Sequence, residues 1–540
     1  MRLSQTPSML LILLFSLAFS LSGDAAGAED IIQLEFGSVR GNLNKDACEF
    51  LGVPFATAKR FEAPEQWSQP YKHGVLDATS FSAQCPQLYP SGYPESEDCL
   101  SLNIFTPRQR GQDALLPVLV WIHGGGLLTG SAMDPLFNGT AQVSHQAQIV
   151  VAINYRLGVL GFAAFNSSSI AGSNNGFRDQ VEALNWVRRH IAAFGGDPER
   201  VTIYGESAGG QGVAALLTSP LLVGKGLFRA AIAESAGETN TVLLAERTTH
   251  TAAILSYTAC DPDDLECLQS LSSMELVRTI NSHIDADEGN HWAAATVGDD
   301  FSPDTALRQV KAGVFSRVPF MLGNNADEGS LFINATSLTS TEAECAYEAL
   351  GDASEATAEA LKGLYPIIPG QNNLGALIDL YSDVAMHCPH RELAQALDDA
   401  GASPWVYSFN RSPGCPLQPK LGASHGFEVP FVFQQLDVLL NPLQPNCEPP
   451  PEDEDLAKQM GVLWAFFARE GRQVASWPRF EAQTKGPVAK LDLGLDPLDV
   501  DTETGYRRGY CARLVPLGIP AFGQTSIQLN AAVERCKGAS

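Results

Sequence analysis

The chain has 540 residues, of which 45% are hydrophobic and 18% are charged, a composition typical of a globular protein rather than a disordered or fibrous one. Its formal net charge is −26 at pH 7. Nucleic acids and anionic membrane surfaces are bound by basic clusters, so this charge argues against both kinds of partner. An acidic surface that keeps the protein soluble is the best explanation of the charge.

The first 28 residues have the features of a secretory signal peptide. Arg2 precedes the apolar run MLLILLFSLAFSL at 9–21, and the small residues at 26–28 provide a cleavage site. A membrane anchor or a buried N-terminal helix is the alternative, but the run is too short to span a bilayer comfortably. We expect residues 1–28 to be a signal peptide, residues 29–540 to form one domain, and the mature protein to be secreted without a stable membrane anchor.

Secretion affects how the eleven cysteines are interpreted, because disulfides persist in oxidising compartments. The pair Cys85 and Cys99 and the pair Cys260 and Cys267 are each close enough in sequence to close a short loop. The odd total leaves at least one thiol free or paired between chains. N-glycosylation sequons, which fit an exported glycoprotein, are present at Asn138, Asn166, Asn334 and Asn410.

Strand and helix patterns alternate through the middle of the chain. The β-branched runs at 117–122, 147–155 and 200–204 predict buried parallel strands. Between the last two, apolar residues at helical spacing and a cationic end before Gly195 predict an amphipathic helix. The alternation continues without a convincing linker, so we expect an α/β fold with a mostly parallel central sheet, flanking helices and large insertions.

Ser207 lies in the sequence Gly205-Glu206-Ser207-Ala208-Gly209, which matches the G-x-S-x-G pattern of a nucleophile elbow. So short a pattern also arises by chance, and the alternative is an ordinary glycine turn. A predicted strand ends directly before Ser207, and helix-compatible residues follow it. This strand-to-helix context is the one the pattern requires, so we predict that Ser207 is a nucleophile.

A second glycine motif could stabilise the oxyanion that forms when a serine attacks a carbonyl. Gly124, Gly125 and Gly126 follow a predicted strand, and backbone without side chains can turn its N–H groups toward a developing negative charge. The N–H of Ala208, directly after the serine, would join them. A plain glycine-rich turn is the alternative interpretation.

A serine nucleophile also needs a base and a carboxylate that orients the base. In α/β-hydrolases these follow the nucleophile in the order acid, then histidine. Asp327 and Glu328 lie just beyond a predicted strand, and His425 lies in a loop of small residues before an apolar run. An ordinary imidazole at His425 predicts activity that rises with pH through about 6 to 7.

These motifs together resemble the type-B carboxylesterase and lipase family, the cholinesterase-like branch of the α/β-hydrolases, and most of all its secreted fungal-type members. The resemblance extends from about residue 30 to past residue 480. It rests on EDCLSLNIF at 97–105, HGGG at 123–126, GESAGG at 205–210, NADEGS at 325–330 and SHGFEVPFVF at 424–433.

The resemblance implies an α/β-hydrolase fold and a two-step acyl transfer that needs neither a metal nor an organic cofactor. It implies Ser207 as the nucleophile, Glu328 rather than Asp327 as the acid, and His425 as the base. It also implies three oxyanion donors and two disulfides. The donors are Gly125, Gly126 and Ala208, and the disulfides are Cys85 to Cys99 and Cys260 to Cys267.

The resemblance also narrows the substrate to a small-molecule ester. In lipases of the family the loop equivalent to the one between Cys85 and Cys99 is a longer lid, and in cholinesterases it carries a choline-stacking tryptophan. Here that loop is short and has no tryptophan. We therefore expect a secreted carboxylesterase with an open pocket. A lipase or sterol-ester hydrolase is the alternative. A non-catalytic, cholinesterase-like interaction protein is more remote, since such proteins lose the serine or the histidine.

Overall fold

The protein is described here from a computed structural model. Residues 1–27, which hold nearly all of the predicted signal peptide, and the sequon residues Asn166 and Asn334 lie outside the described residues. The described residues are 28–87, 92–110, 114–165, 173–237, 241–281, 294–333, 335, 337–349, 355–414, 421–440, 448–484, 486–492, 495–496, 500–504, 506–514, 533 and 536.

The strands fall mainly into one large sheet. They are β1 (Ala28–Leu34), β2 (Gly37–Leu43), β3 (Ala47–Pro54), β4 (Ala56–Thr57), β5 (Glu65–Gln66), β6 (Val75–Asp77), β7 (Ser101–Pro107), β8 (Leu116–Ile122), β9 (Ile149–Ile153), β10 (Gly196–Glu206), β11 (Ala230–Glu234), β12 (Thr241–Leu243), β13 (Ala295–Val297), β14 (Phe320–Asn325), β15 (Pro404–Phe409), β16 (Pro487–Leu491) and β17 (Thr502–Thr504).

Helices cover the sheet and fill the insertions. They are α1 (Thr140–His145), α2 (Gly158–Phe162), α3 (Asn175–His190), α4 (Ala208–Thr218), α5 (Leu244–Leu255), α6 (Leu265–Ser270), α7 (Ser273–Asn281), α8 (Ala306–Lys311), α9 (Gly329–Phe332), α10 (Ser340–Ala349), α11 (Glu355–Leu364), α12 (Leu374–Ser382), α13 (Cys388–Asp399), α14 (Val429–Phe433), α15 (Leu436–Leu440), α16 (Pro451–Glu470) and α17 (Arg508–Leu514).

Among the described residues, the central sheet has 13 strands in the order β1-β2-β3-β7-β9-β8-β10-β11-β14-β15-β16-β17, with β6 paired to β2. The run from β9 through β16 is parallel, and the strands outside that run pair antiparallel, apart from β6. The predicted strands at 117–122, 147–155 and 200–204 are β8, β9 and β10. The expected mostly parallel α/β architecture is confirmed.

Burial explains why these segments form strands. Every residue of β9 is buried, and the β8 sequence LPVLVWI is buried from its second residue onward. Such continuous apolar runs suit a parallel strand that is covered by helices on both faces. The predicted amphipathic helix is α3, which ends with Arg188, Arg189 and His190 before a short 3₁₀ turn and the positive-φ Gly195.

The sheet separates two large apolar clusters. One contains Trp186 on α3 and the other contains Trp121 on β8 together with Trp464 on α16. A third, helical cluster includes residues of α10, α11 and α12. Within the described part of the chain, no helix is both long and apolar enough to cross a membrane.

Disulfides join cysteines that are near and far in sequence. The described residues contain the bonds Cys85–Cys99, Cys260–Cys267, Cys345–Cys536 and Cys388–Cys511, and the thiol of Cys48 is buried and unpaired. The first two are the pairs that the resemblance implies. The other two have sequence separations of 191 and 123 residues. They bond α10 to Cys536 and α13 to α17, and so link helices of the third cluster to later parts of the chain.

The two sequon asparagines among the described residues are half-buried. The side chain of Asn138 accepts a hydrogen bond from the backbone N–H of Thr140 at 2.8 Å. The side chain of Asn410 accepts one from the hydroxyl of Ser408, also at 2.8 Å.

Candidate active site

Ser207 lies in the tight turn between the end of β10 and the first residue of α4. Its backbone has φ 55° and ψ −122°, a conformation that costs a non-glycine residue free energy and is stored mainly at functional sites. The backbone N–H of Ser207 donates to the carbonyl of Glu234 at 2.9 Å, which anchors the turn to β11. The G-x-S-x-G sequence therefore forms the strained strand-to-helix turn that it predicts.

The glycines of the pattern are required by close backbone packing. A β-carbon on Gly209 would lie 1.9 Å from the carbonyl oxygen of Ile122, and one on Gly205 would lie 2.6 Å from the same oxygen. Both distances are far below van der Waals contact. The missing side chains thus let the first turn of α4 pack against the end of β8.

The second glycine motif lies beside this turn. A β-carbon on Gly124 would lie 3.2 Å from the β-carbon of Ser207. Gly125 and Gly126 have φ values of 102° and 64°, which turn the backbone away from an extended path. Ala208 is the first residue of α4, so its N–H is among those that a helix leaves without an internal partner. The backbone around Ser207 therefore presents N–H groups at a helix N-terminus, where negative charge is stabilised.

Glu328 and His425 are brought together by loops that follow β14 and precede α14. The Nδ1 of His425 lies 2.5 Å from Oε2 of Glu328, and the other carboxylate oxygen of Glu328 accepts the backbone N–H of Asn325 at 2.7 Å. Both side chains are buried. The imidazole is thus held by a carboxylate at one nitrogen, which leaves Nε2 to face the rest of the site.

Asp327 points elsewhere, although it directly precedes Glu328. Its Oδ2 accepts the backbone N–H of Ala423 at 2.8 Å and makes no hydrogen bond to the imidazole among the contacts of the described residues. The geometry thus favours Glu328 over Asp327 as the partner of His425.

Glu206 is a site residue that we did not single out from the sequence. Its Oε1 lies 3.1 Å from Nε2 of His425, and it directly precedes Ser207 in the chain. The sequence did contain a signal for this role: Glu206 is a carboxylate inside the G-x-S-x-G pattern, directly before the predicted nucleophile. His425 is therefore placed between two carboxylates and beside the turn that carries Ser207.

The two carboxylates control the charge of the imidazole. Burial lowers the pKa of His425, but the negative charges of Glu206 and Glu328 outweigh burial and raise this pKa to about 9. Burial also raises the pKa of Glu206 to about 7, opposed by the charge of His425. For Glu328, the charge of His425 and several hydrogen bonds overcome burial and lower the pKa.

Two further buried glutamates lie around this group. Glu234 accepts a hydrogen bond from Nε1 of Trp464 at 2.8 Å, and Glu428 accepts one from the hydroxyl of Ser235 at 3.0 Å. Burial raises the pKa of Glu234 to about 8 and that of Glu428 well above its ordinary value. Glu234 is therefore mostly protonated at neutral pH. In the described part of the chain, no group of three or more His, Cys, Asp or Glu residues is arranged to hold a metal ion.

Comparison with known proteins shows which family the chain is similar to. The family model described as "Carboxylesterase family" matches residues 28–510. The chain is 33% identical to the para-nitrobenzyl esterase of Bacillus subtilis over 478 residues, which covers 84% of this chain and 93% of that protein. It is also 33% identical to the liver carboxylesterase of Sus scrofa over 521 residues, which covers 86% of this chain and 87% of that one.

Comparison with solved structures also finds an esterase. A solved structure of a PNB esterase superimposes with a TM-score of 0.75 at 31% sequence identity, covering 90% of this chain and 100% of that chain. The α/β-hydrolase fold implied by the sequence motifs is confirmed. The chain therefore belongs to the carboxylesterase family, and it is a carboxylic ester hydrolase.

Proposed function

We propose that the protein hydrolyses small carboxylic esters through a triad of Ser207, His425 and Glu328. The observation that carries this proposal is the 2.5 Å contact between His425 and Glu328, at an imidazole whose Nε2 lies 3.1 Å from Glu206, the residue directly before Ser207. A nucleophile, a base and an orienting carboxylate are the three groups that a serine hydrolase requires.

In the first step, neutral His425 accepts the proton of the Ser207 hydroxyl as its oxygen attacks the ester carbonyl. Glu328 fixes the tautomer of the imidazole by accepting its Nδ1 proton and stabilises the positive charge that the ring acquires. The N–H groups of Gly125, Gly126 and Ala208 bind the oxyanion. The imidazolium then protonates the departing alcohol, which leaves an acyl group on Ser207.

In the second step, His425 removes a proton from a water molecule that attacks the acyl-enzyme. The oxyanion forms again in the same place, the bond from the acyl carbon to the Ser207 oxygen breaks, and the proton returns to that oxygen. The free acid leaves, and the enzyme is restored. Every proton in this scheme passes through His425, so the reaction needs neither a metal nor an organic cofactor.

The preference of the enzyme for acyl-chain length is tested with a series of p-nitrophenyl esters from acetate to palmitate. Each ester is assayed below and above the concentration at which it forms micelles. We expect the highest kcat/KM for short chains and no jump at micelle formation, because the loop between Cys85 and Cys99 is short. The matched control is Ser207→Ala, which corrects for hydrolysis outside the site. Preference for long chains with a jump at the interface would instead identify a lipase or sterol-ester hydrolase.

We expect Glu206 to influence how kcat/KM varies with pH. Only neutral His425 can accept the serine proton, so activity falls as the pH drops below the pKa of the ring. With that pKa raised to about 9, because the charges of Glu206 and Glu328 outweigh burial, we expect kcat/KM to rise with a midpoint near this value, above the range of an ordinary imidazole.

Glu206→Gln removes the negative charge nearest Nε2 of His425. The midpoint of the kcat/KM profile should therefore move to lower pH by about one unit or more, since an opposite charge within hydrogen-bonding distance shifts a pKa by about 1 to 3 units. The profile is measured with a neutral ester, whose own charge does not change. An unchanged midpoint would show that Glu206 does not control the charge of the base.

We also propose that residues 1–28 direct export, that residues 29–540 act as one domain, and that the mature protein is a secreted glycoprotein. Disulfides among the described residues support an oxidising destination. Because Ser207, Glu328 and His425 are all present, a non-catalytic interaction protein is the poorer candidate. Intact-mass measurement of the mature protein, before and after removal of N-glycans, tests the cleavage after residue 28 and the glycosylation.

A further inference from the structure

The contact between Glu328 and His425 joins two loop segments. Segment 326–328 follows β14 and carries Glu328, and segment 421–425 precedes α14 and carries His425. Neither segment belongs to a helix or a strand, so regular hydrogen bonding within an element does not fix their relative position. Other contacts must therefore hold the two loops in the position that brings Glu328 and His425 together.

Asp327 supplies one such connection, beside Asn325, whose Nδ2 donates to the carbonyl of Ser424 at 2.6 Å. Its backbone N–H donates to the carbonyl of Ala423 at 2.9 Å, and its Oδ2 accepts the N–H of Ala423 at 2.8 Å. One residue thus binds both polar backbone groups of Ala423, which lies two positions before His425. A pair of bonds in opposite directions fixes distance and orientation better than a single bond does.

Gly422 is shaped for this contact. Its φ is 64°, and a β-carbon on it would lie 2.1 Å from Oδ2 of Asp327. Any side chain at this position would displace the carboxylate from the N–H of Ala423. The two loops therefore fit each other through a glycine on one side and a carboxylate on the other.

Ser330 adds a further connection between the same parts of the chain. Its hydroxyl lies 2.7 Å from the carbonyl of Leu421 and 2.9 Å from the hydroxyl of Ser424. The contacts of Asp327 and Ser330 bracket the carboxylate of Glu328 on both sides along the chain. The loop of His425 is thereby bound at three consecutive or near-consecutive positions before the imidazole.

We propose that Asp327 is a positioning residue for the triad: it holds the His425 loop in register with Glu328 and does not itself take part in the chemistry. This inference rests on the proposed roles of Ser207, Glu328 and His425. Asp327 acts through Ala423 on the base, so its loss lowers the turnover of bound ester more than it weakens ester binding.

The test compares Asp327→Ala with Asp327→Asn, using p-nitrophenyl acetate at a pH where the wild type is fully active. The alanine variant loses the acceptor for the Ala423 N–H, and its kcat should fall by roughly 10- to 100-fold with KM within about threefold, the range expected for loss of geometric preorganisation. Asparagine keeps an oxygen at the same place, so Asp327→Asn should retain kcat within about threefold of the wild type.

Asp379→Ala is the matched control. Asp379 is a nearby carboxylate that pairs with Arg507 at 3.3 Å, so its removal changes local charge without touching segment 421–425. Its kcat should equal that of the wild type. Ser330→Ala provides a second variant in case Asp327→Ala does not fold: it removes one hydroxyl and should lower kcat by about three- to tenfold with KM unchanged.

The outcomes separate this inference from the proposed function. If Ser207→Ala is inactive while folded Asp327→Ala keeps wild-type kcat, Asp327 has no positioning role and the triad stands. Equal losses in Asp327→Asn and Asp327→Ala, or a matching loss in Asp379→Ala, would also overturn the inference, because the charge and not the bond to Ala423 would then be responsible. Full activity in Ser207→Ala would remove the proposed function itself.

Discussion

Ser207→Ala is expected to lower kcat for ester hydrolysis by about 10⁴-fold or more, with residual activity that comes from substrate binding and the oxyanion donors alone. The reason is that alanine leaves His425 with no hydroxyl to deprotonate, so no acyl-enzyme can form. The positive φ of this turn is a local strain that alanine shares, so the backbone of the variant should keep its form.

The measurement is kcat for p-nitrophenyl acetate together with the release of p-nitrophenol in the first turnover. The wild type should release one equivalent of p-nitrophenol per active site where deacylation is slow, and the variant should show no such burst. Circular dichroism melts of both proteins provide the control for folding. A variant that retains activity within tenfold of the wild type would exclude Ser207 as the nucleophile.

Glu328→Gln is expected to lower kcat by about 10³- to 10⁴-fold, the loss seen when the orienting carboxylate of a serine triad becomes an amide. The amide can still occupy the space beside Nδ1 of His425, but it bears no negative charge to stabilise the imidazolium. It can also donate to Nδ1, which would select the tautomer that carries the proton on Nε2 and cannot act as the base.

Glu234→Gln is the matched control for this variant. Glu234 is a buried glutamate of the same group, but its described hydrogen bond is to Trp464 and not to His425. Because burial keeps it mostly protonated at neutral pH, the amide changes little charge, and activity should remain within about tenfold of the wild type. Equal losses in the two variants would mean that packing of the buried glutamates, rather than the Glu328 charge, sustains catalysis.

The contact between Glu206 and His425 connects the pH profile to the sequence of the nucleophile turn. Position x of G-x-S-x-G must lie next to the serine, and here it is a carboxylate within 3.1 Å of the base. A buried negative charge stabilises the imidazolium that forms during acyl transfer, but it also keeps the ring protonated at rest. The expected consequence is an enzyme that works best in mildly alkaline solution.

Local sequence determined the elements that contain the site. Continuous β-branched runs specify β8 and β9 because both faces of these strands are buried. The G-x-S-x-G turn and the glycines after β8 were predictable because a β-carbon on Gly205 or Gly209 would clash with the carbonyl oxygen of Ile122, and the positive φ values of Gly125 and Gly126 favour glycine. The alternation of strands and helices likewise indicated a parallel sheet before any pairing was known.

The choice between Asp327 and Glu328 could not be made from the residues alone. Both are carboxylates at the end of the same strand, and side-chain direction in a loop depends on the segments packed against it. The motif resemblance favoured Glu328, and the structure adds the physical reason: Asp327 is bound to Ala423 while Glu328 reaches the imidazole. The same packing decides which role each carboxylate can have.

The sequence by itself determined the strand segments, the serine turn, the glycine loop and the short-range disulfide candidates, because each depends on residues that are neighbours in the chain. Only the tertiary structure decided that Glu206 faces His425, that the pKa of the base is raised, and that Cys345 pairs with Cys536 and Cys388 with Cys511. These features depend on groups distant in sequence, and both electrostatic energy and disulfide geometry depend on separation in space.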